Sequence, residues 1–119
     1  AWDRPFDIKA VLDLLAAQNR SGPLQGRIDM TRIAVAGHSA GSSATISVAG
    51  GYREFGRNRY GGPQFFEDPR PKAFVALSPT APGSSATFET RFDDDSTTWS
   101  TVTRPLLMVT GAGDGHEQY

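Results

Sequence analysis

The chain predicts an α/β fold, a mostly parallel sheet flanked by helices, and three observations carry that prediction. Three short runs are apolar without interruption: Ile33-Ala34-Val35-Ala36, Ala73-Phe74-Val75-Ala76-Leu77, and Leu106-Leu107-Met108-Val109 with Thr110 closing the last. Such runs suit strands covered on both faces of a parallel sheet. The first run passes straight into a glycine-bounded turn and then a small-residue stretch, Ser42 to Ala49, that stops at Gly50-Gly51. Each run is also followed by a residue able to do chemistry, namely Ser39, Ser78 and Asp114. Sites in open α/β sheets collect at these carboxyl ends.

Taken in order, the chain reads helix, strand, helix, loop, strand, loop, strand. Asp3 is placed to cap a first helix, and Pro5 is tolerated in a first turn whose N–H groups lack partners. Ile8, Val11, Leu12 and Leu15 recur at i, i+3, i+4 and i+7, with Leu14 broadening the stripe, so the helix should cover a sheet. The pattern stops around Asn19, and Ser21-Gly22-Pro23 breaks it. Residues 24–32 form a loop in which Asp29 closes a turn before the first strand. From Tyr52 to Pro71 the chain is irregular, with aromatics interleaved among Arg53, Arg57, Arg59 and Arg70. That stretch is expected to border a pocket, its aromatics packed on the body of the domain. Trp99 and Val102 suggest a short helix packing down before the third strand.

Composition narrows the function classes. With 119 residues, 38% of them hydrophobic, and a formal net charge of -1, residues 1–119 suit one globular domain with no electrostatic case for nucleic acid or an anionic membrane. Glu54, Glu67 and Asp68 offset the arginines of the irregular segment, which also argues against nucleic acid. No apolar run is long enough to insert stably across a bilayer. There is no cysteine, so disulfides are excluded. Asp93-Asp94-Asp95 lacks the further oxygen-ligand spacing of a calcium loop and reads as solvated, leaving no metal site.

The chemistry concentrates at Gly37-His38-Ser39-Ala40-Gly41, with the spacing G-x-S-x-G. At a sharp strand-to-helix turn a serine is thrust out beside the first helical N–H groups, and Gly37 and Gly41 are expected to relieve crowding on either side. A seryl hydroxyl needs a base, and the base needs an orienting carboxylate. Ser39 is the candidate nucleophile, and the backbone N–H of Ala40 is placed to donate to an oxyanion. Asp114 is the candidate orienting acid, with Glu117 behind it; the other reading of Asp114 is an Asx turn between two glycines. His38 adjoins Ser39 within the turn and reads, with Ser78, as a pocket-lining residue. His116 is too near Asp114 in sequence to bridge from it to Ser39. No histidine here is a good general base.

These segments resemble the α/β-hydrolase superfamily. The stretch GRIDMTRIAVAGHSAG and RPLLMVTGAGD before the acid carry the likeness. RPFDIKAVLDLL followed by the elbow is similar to bacterial dienelactone-hydrolase-like and platelet-activating-factor-acetylhydrolase-like esterases. The likeness covers nearly the whole chain, and its one specific motif is the elbow. It implies a partial α/β-hydrolase fold truncated at both ends, and hydrolysis of small-molecule carboxylic esters through an acyl-enzyme without a cofactor. It also implies Ser39 as nucleophile and Asp114 as acid, with the first strands, second oxyanion donor and catalytic histidine outside these residues. Open strand edges then predict that the 119-residue chain alone is unstable or self-associates.

Two other readings compete. A hydrolase-like scaffold without catalysis could serve as a binding or interaction module, as the missing base suggests. A dinucleotide site at Gly111-Ala112-Gly113 would need a third glycine where His116 stands, and a helix after it.

Overall fold

The computed structural model describes residues 4–51, 54–55, 65–79, 90–91 and 97–112. Their elements run α1 (Arg4–Ser21), β1 (Ala34–His38), α2 (Ala40–Ala49), β2 (Glu54–Phe55), β3 (Ala73–Leu77), β4 (Thr90–Arg91), α3 (Thr97–Ser100) and β5 (Leu106–Val109). The three apolar runs form one sheet in the order β1-β3-β5, parallel at both junctions. The chain is therefore α/β, with a three-stranded parallel sheet and helices packed against it. β2 and β4 pair antiparallel over two residues each, within segments the sequence marks only as loops. Among the described residues no helix is long and apolar enough to cross a membrane.

Register decides which side chains share a face. Val35, Phe74 and Leu106 lie in one row across the sheet, and Ala36, Val75 and Leu107 in the next. The first row meets the helices: Phe74 packs with Val48 and Ala49 of α2, and Ile8, Val35, Val102 and Leu106 close around them. Beside this cluster Ile46 and Ala76 pack with Trp99 and Leu106. Thus α1, α2 and the α3 segment all reach one face; Trp99 and Val102 both pack down as expected, but α3 ends at Ser100 and leaves Val102 outside the helix. The alternate row is different. Leu107 is 59% exposed, and Leu77 and Val109 are also exposed. Cover on both faces was expected; among the described residues the helices cover one.

The helix α1 also departs from its apolar stripe. Pro5 and Leu12 are buried and Ile8 joins the core, but Val11 and Leu14 are 52% and 57% exposed. α1 lies against α2 and reaches the sheet through Ile8, and two packed helices bury a narrower stripe than a helix laid on a sheet. Asp3, its expected cap, lies outside the described residues. At the other end Asn19 replaces a simple stop: its amide donates to the Ile28 carbonyl (2.8 Å) and its side-chain oxygen accepts from the Ile28 N–H (3.0 Å). Asp29 closes its turn as expected, accepting from the Thr31 N–H (3.0 Å) and hydroxyl (2.6 Å). Those bonds hold its carboxyl below the usual range.

The amino ends of the strands are fastened by buried charge. Asp68 is 2% exposed and accepts from Arg70 Nε (2.9 Å), Nη2 (2.6 Å) and backbone N–H (3.0 Å). Arg70 reaches on to Asp13 of α1 at 2.6 Å. Arg104 donates to the carbonyls of Asp68 and Pro71, both at 2.6 Å, and to that of Ala49 at 3.3 Å. It also stands 4.8 Å above the Phe74 ring. A guanidinium there satisfies carbonyls at the carboxyl end of α2, where a cation suits the helix dipole. In the irregular segment Phe66 is buried and Phe65 exposed; Phe55 lies in β2, while Tyr52, Arg53, Arg57, Arg59 and Tyr60 lie outside the described residues, as does Asp93-Asp94-Asp95.

Candidate active site

β1 runs two residues further than its apolar run suggests, so the turn is compressed onto a single residue, Ser39, between β1 and α2. Ser39 has φ 52° and ψ −121°. A side chain at positive φ is costly unless the surroundings impose it. Here they do: the Ser39 N–H donates to the Leu77 carbonyl at 3.0 Å, and its own carbonyl accepts from the Ser42 N–H at 2.9 Å and from the Ser42 hydroxyl. The backbone is fixed from both sides. The hydroxyl is left over: it makes no capping bond to α2, and the residue is exposed.

The N–H groups of Ala40 and Gly41 open α2, where a helix offers donors without intrahelical acceptors. Their direction relative to the Ser39 hydroxyl follows from the Ser39 backbone angles, and Gly37 sets how closely α2 approaches β1. A Cβ at Gly37 would collide with the Gly41 carbonyl and lie 2.6 Å from Thr45 Oγ1. Gly41 is not its mirror image. A Cβ there would find only Arg4 Nη1, at 4.0 Å, so crowding is relieved at one of the two glycines rather than both.

The rest of α2 explains how so many hydroxyls are buried beside a sheet. Thr45 Oγ1 donates to the Gly41 carbonyl (3.0 Å) and Ser47 Oγ to the Ser43 carbonyl (2.8 Å). Both hydroxyls turn back on their own helix, so neither is left as an unsatisfied donor. The helix ends at Gly50, φ 115°, where a Cβ would lie 2.8 Å from the Thr101 carbonyl.

His38 ends β1 with an exposed side chain, in register with Leu77 and Val109. Ser78 stands just past β3, half-buried, its N–H donating to the Val109 carbonyl at 2.7 Å. The sheet therefore brings Ser39, Ala40, His38 and Ser78 to one edge. Asp114, Glu117 and His116 lie outside the described residues, which on this side end at Ala112, past β5 on the same edge. Two features had no signal in the sequence. Arg4 comes near the amino end of α2 although it begins α1, and Ser78 has φ 42°. Among the described residues no group of histidine, aspartate and glutamate is gathered to hold a metal ion. No protein-family model, curated protein or solved structure matches this chain.

Proposed function

We propose that the chain carries the nucleophile portion of a serine hydrolase site acting on small-molecule carboxylic esters, within an α/β-hydrolase fold. The observation that carries the reading is Ser39: an exposed hydroxyl on a positive-φ turn, its backbone held on both sides, beside the first N–H groups of α2. Strain kept at a residue whose side chain is not used in packing points to use of that side chain.

In this reading Ser39 Oγ attacks the acyl carbon while a general base takes its proton. The carbonyl oxygen, now anionic, is held by the Ala40 N–H and a second donor. Collapse expels the alcohol, which takes the proton back from the base, and water then releases the acid by the same steps in reverse. One well-placed oxyanion donor is worth about 10²–10³ in rate. Asp114 orients the base. The histidine and second donor come from outside these residues. No cofactor is needed.

A fluorophosphonate probe on the full-length protein tests this. Labelling should map to Ser39 and vanish in Ser39→Ala. Labelling that persists in that variant, or none in the parent, would overturn the reading and leave a binding module on the same scaffold.

A further inference from the structure

Two described residues other than glycine have positive φ, and both are serines at the same edge: Ser39 and Ser78. Ser78 is the harder to explain. It precedes Pro79, and a residue before proline is driven to extended backbone near φ −120°. Instead it holds φ 42°. Nothing local rewards this. Its N–H completes the ladder to the Val109 carbonyl, which fixes the backbone, but no hydrogen bond of its hydroxyl to another described residue accompanies it. Glycine would occupy this conformation at lower cost, so serine is the unfavourable choice for the fold.

The neighbourhood supplies a reason for the hydroxyl. β3 is the central strand, flanked by β1 and β5. His38 pairs with Leu77, and the Ser39 N–H bonds the Leu77 carbonyl. Ser78 is thus the next residue along the strand beside the nucleophile. An ester carbonyl seated between Ser39 and the Ala40 N–H has one flank over the end of β3. We infer that Ser78 orients the substrate by hydrogen-bonding a polar atom on that flank, so that the site favours esters carrying an oxygen near the scissile group over their alkyl counterparts. The inference rests on the ester-hydrolase reading of Ser39.

The test is a ratio, which a purely structural role leaves unchanged. In the full-length protein, kcat/KM is measured for two nearly isosteric pairs: p-nitrophenyl methoxyacetate against p-nitrophenyl butyrate, and 2-methoxyethyl acetate against butyl acetate. Ser78→Ala and Ser78→Gly should lower the oxygenated-to-alkyl ratio of one pair by about tenfold. The glycine variant accepts φ 42° without strain, so it keeps the test available should the alanine variant fold poorly. Ratios unchanged within about twofold in the glycine variant overturn the role of Ser78 and leave the reading of Ser39 standing. Hydrolysis that does not depend on Ser39 overturns both.

Discussion

Gly37→Ala is the sharpest probe of the strand-helix contact under Ser39. The added methyl would sit 2.6 Å from Thr45 Oγ1, where ordinary contact begins near 3.4 Å. Relief therefore needs about 0.8 Å of movement there, and more from the Gly41 carbonyl, which is helix backbone and has no rotamer to change. α2 must withdraw from β1 as a body. Overpacking of this kind costs about 1–3 kcal/mol, and loss of the Phe74 contacts adds to it. Turning the Ala40 N–H and the Ser39 hydroxyl out of alignment as α2 withdraws should also slow fluorophosphonate labelling of Ser39 by about 10²-fold. The control is Gly41→Ala in the same motif, where the methyl has room and lies within α2. It should leave stability unchanged or raise it by up to about 1 kcal/mol. Urea unfolding followed by tryptophan fluorescence reads both. Equal stabilities for the two variants, or a Gly37→Ala protein within about 0.5 kcal/mol of the parent, would refute the packing argument.

Other perturbations give distinct outcomes. Ser39→Gly should stabilise the fold by about 1 kcal/mol while abolishing labelling; thermal melting alongside the probe separates the two effects. Arg104→Lys keeps the charge but cannot match carbonyls in several directions, and should cost about 2 kcal/mol in urea unfolding. Arg70 hydrogen bonds depress the Asp68 carboxyl, opposed by burial. A carboxyl whose folded pKa lies below its unfolded value gives stability that is fully present above the unfolded value and lost as pH falls through the folded one. Acid titration of the fold should thus show a loss beginning below about pH 4. Asp68→Asn should flatten that limb and, by leaving Arg70 without its buried carboxylate, cost about 3 kcal/mol near neutral pH. An unchanged acid limb in this variant would show that Asp68 does not set it.

What could be read in advance follows from how local each cause is. The three apolar runs became β1, β3 and β5, and Asp29 closed its turn, because each depends on residues within a few positions. The position of Ser39 was legible for the same reason. Arg104 was not: its partners are four backbone carbonyls and the Glu67 carboxylate, 33 to 56 residues away, and a carbonyl leaves no mark in a sequence. The exposure of Val11 and Leu14 escaped because periodicity identifies a helical face without saying how wide a stripe the neighbour covers. Gly37 and Gly41 look alike in the motif, yet the approach of Thr45 touches only the first. The strain at Ser78 runs against its own local rule, since proline follows it.

The sheet separates its fastenings from its strained residues. Asp68, Arg70 and Arg104 secure the amino ends, and Ser39 and Ser78 bend at the carboxyl ends, roughly 15 Å away across strands of about five residues. Changes at the rim that carries the two serines are thereby insulated from the latch that keeps the domain assembled. Over evolutionary time such a rim is free to explore new side chains, and so new preferences, without the scaffold coming apart beneath it.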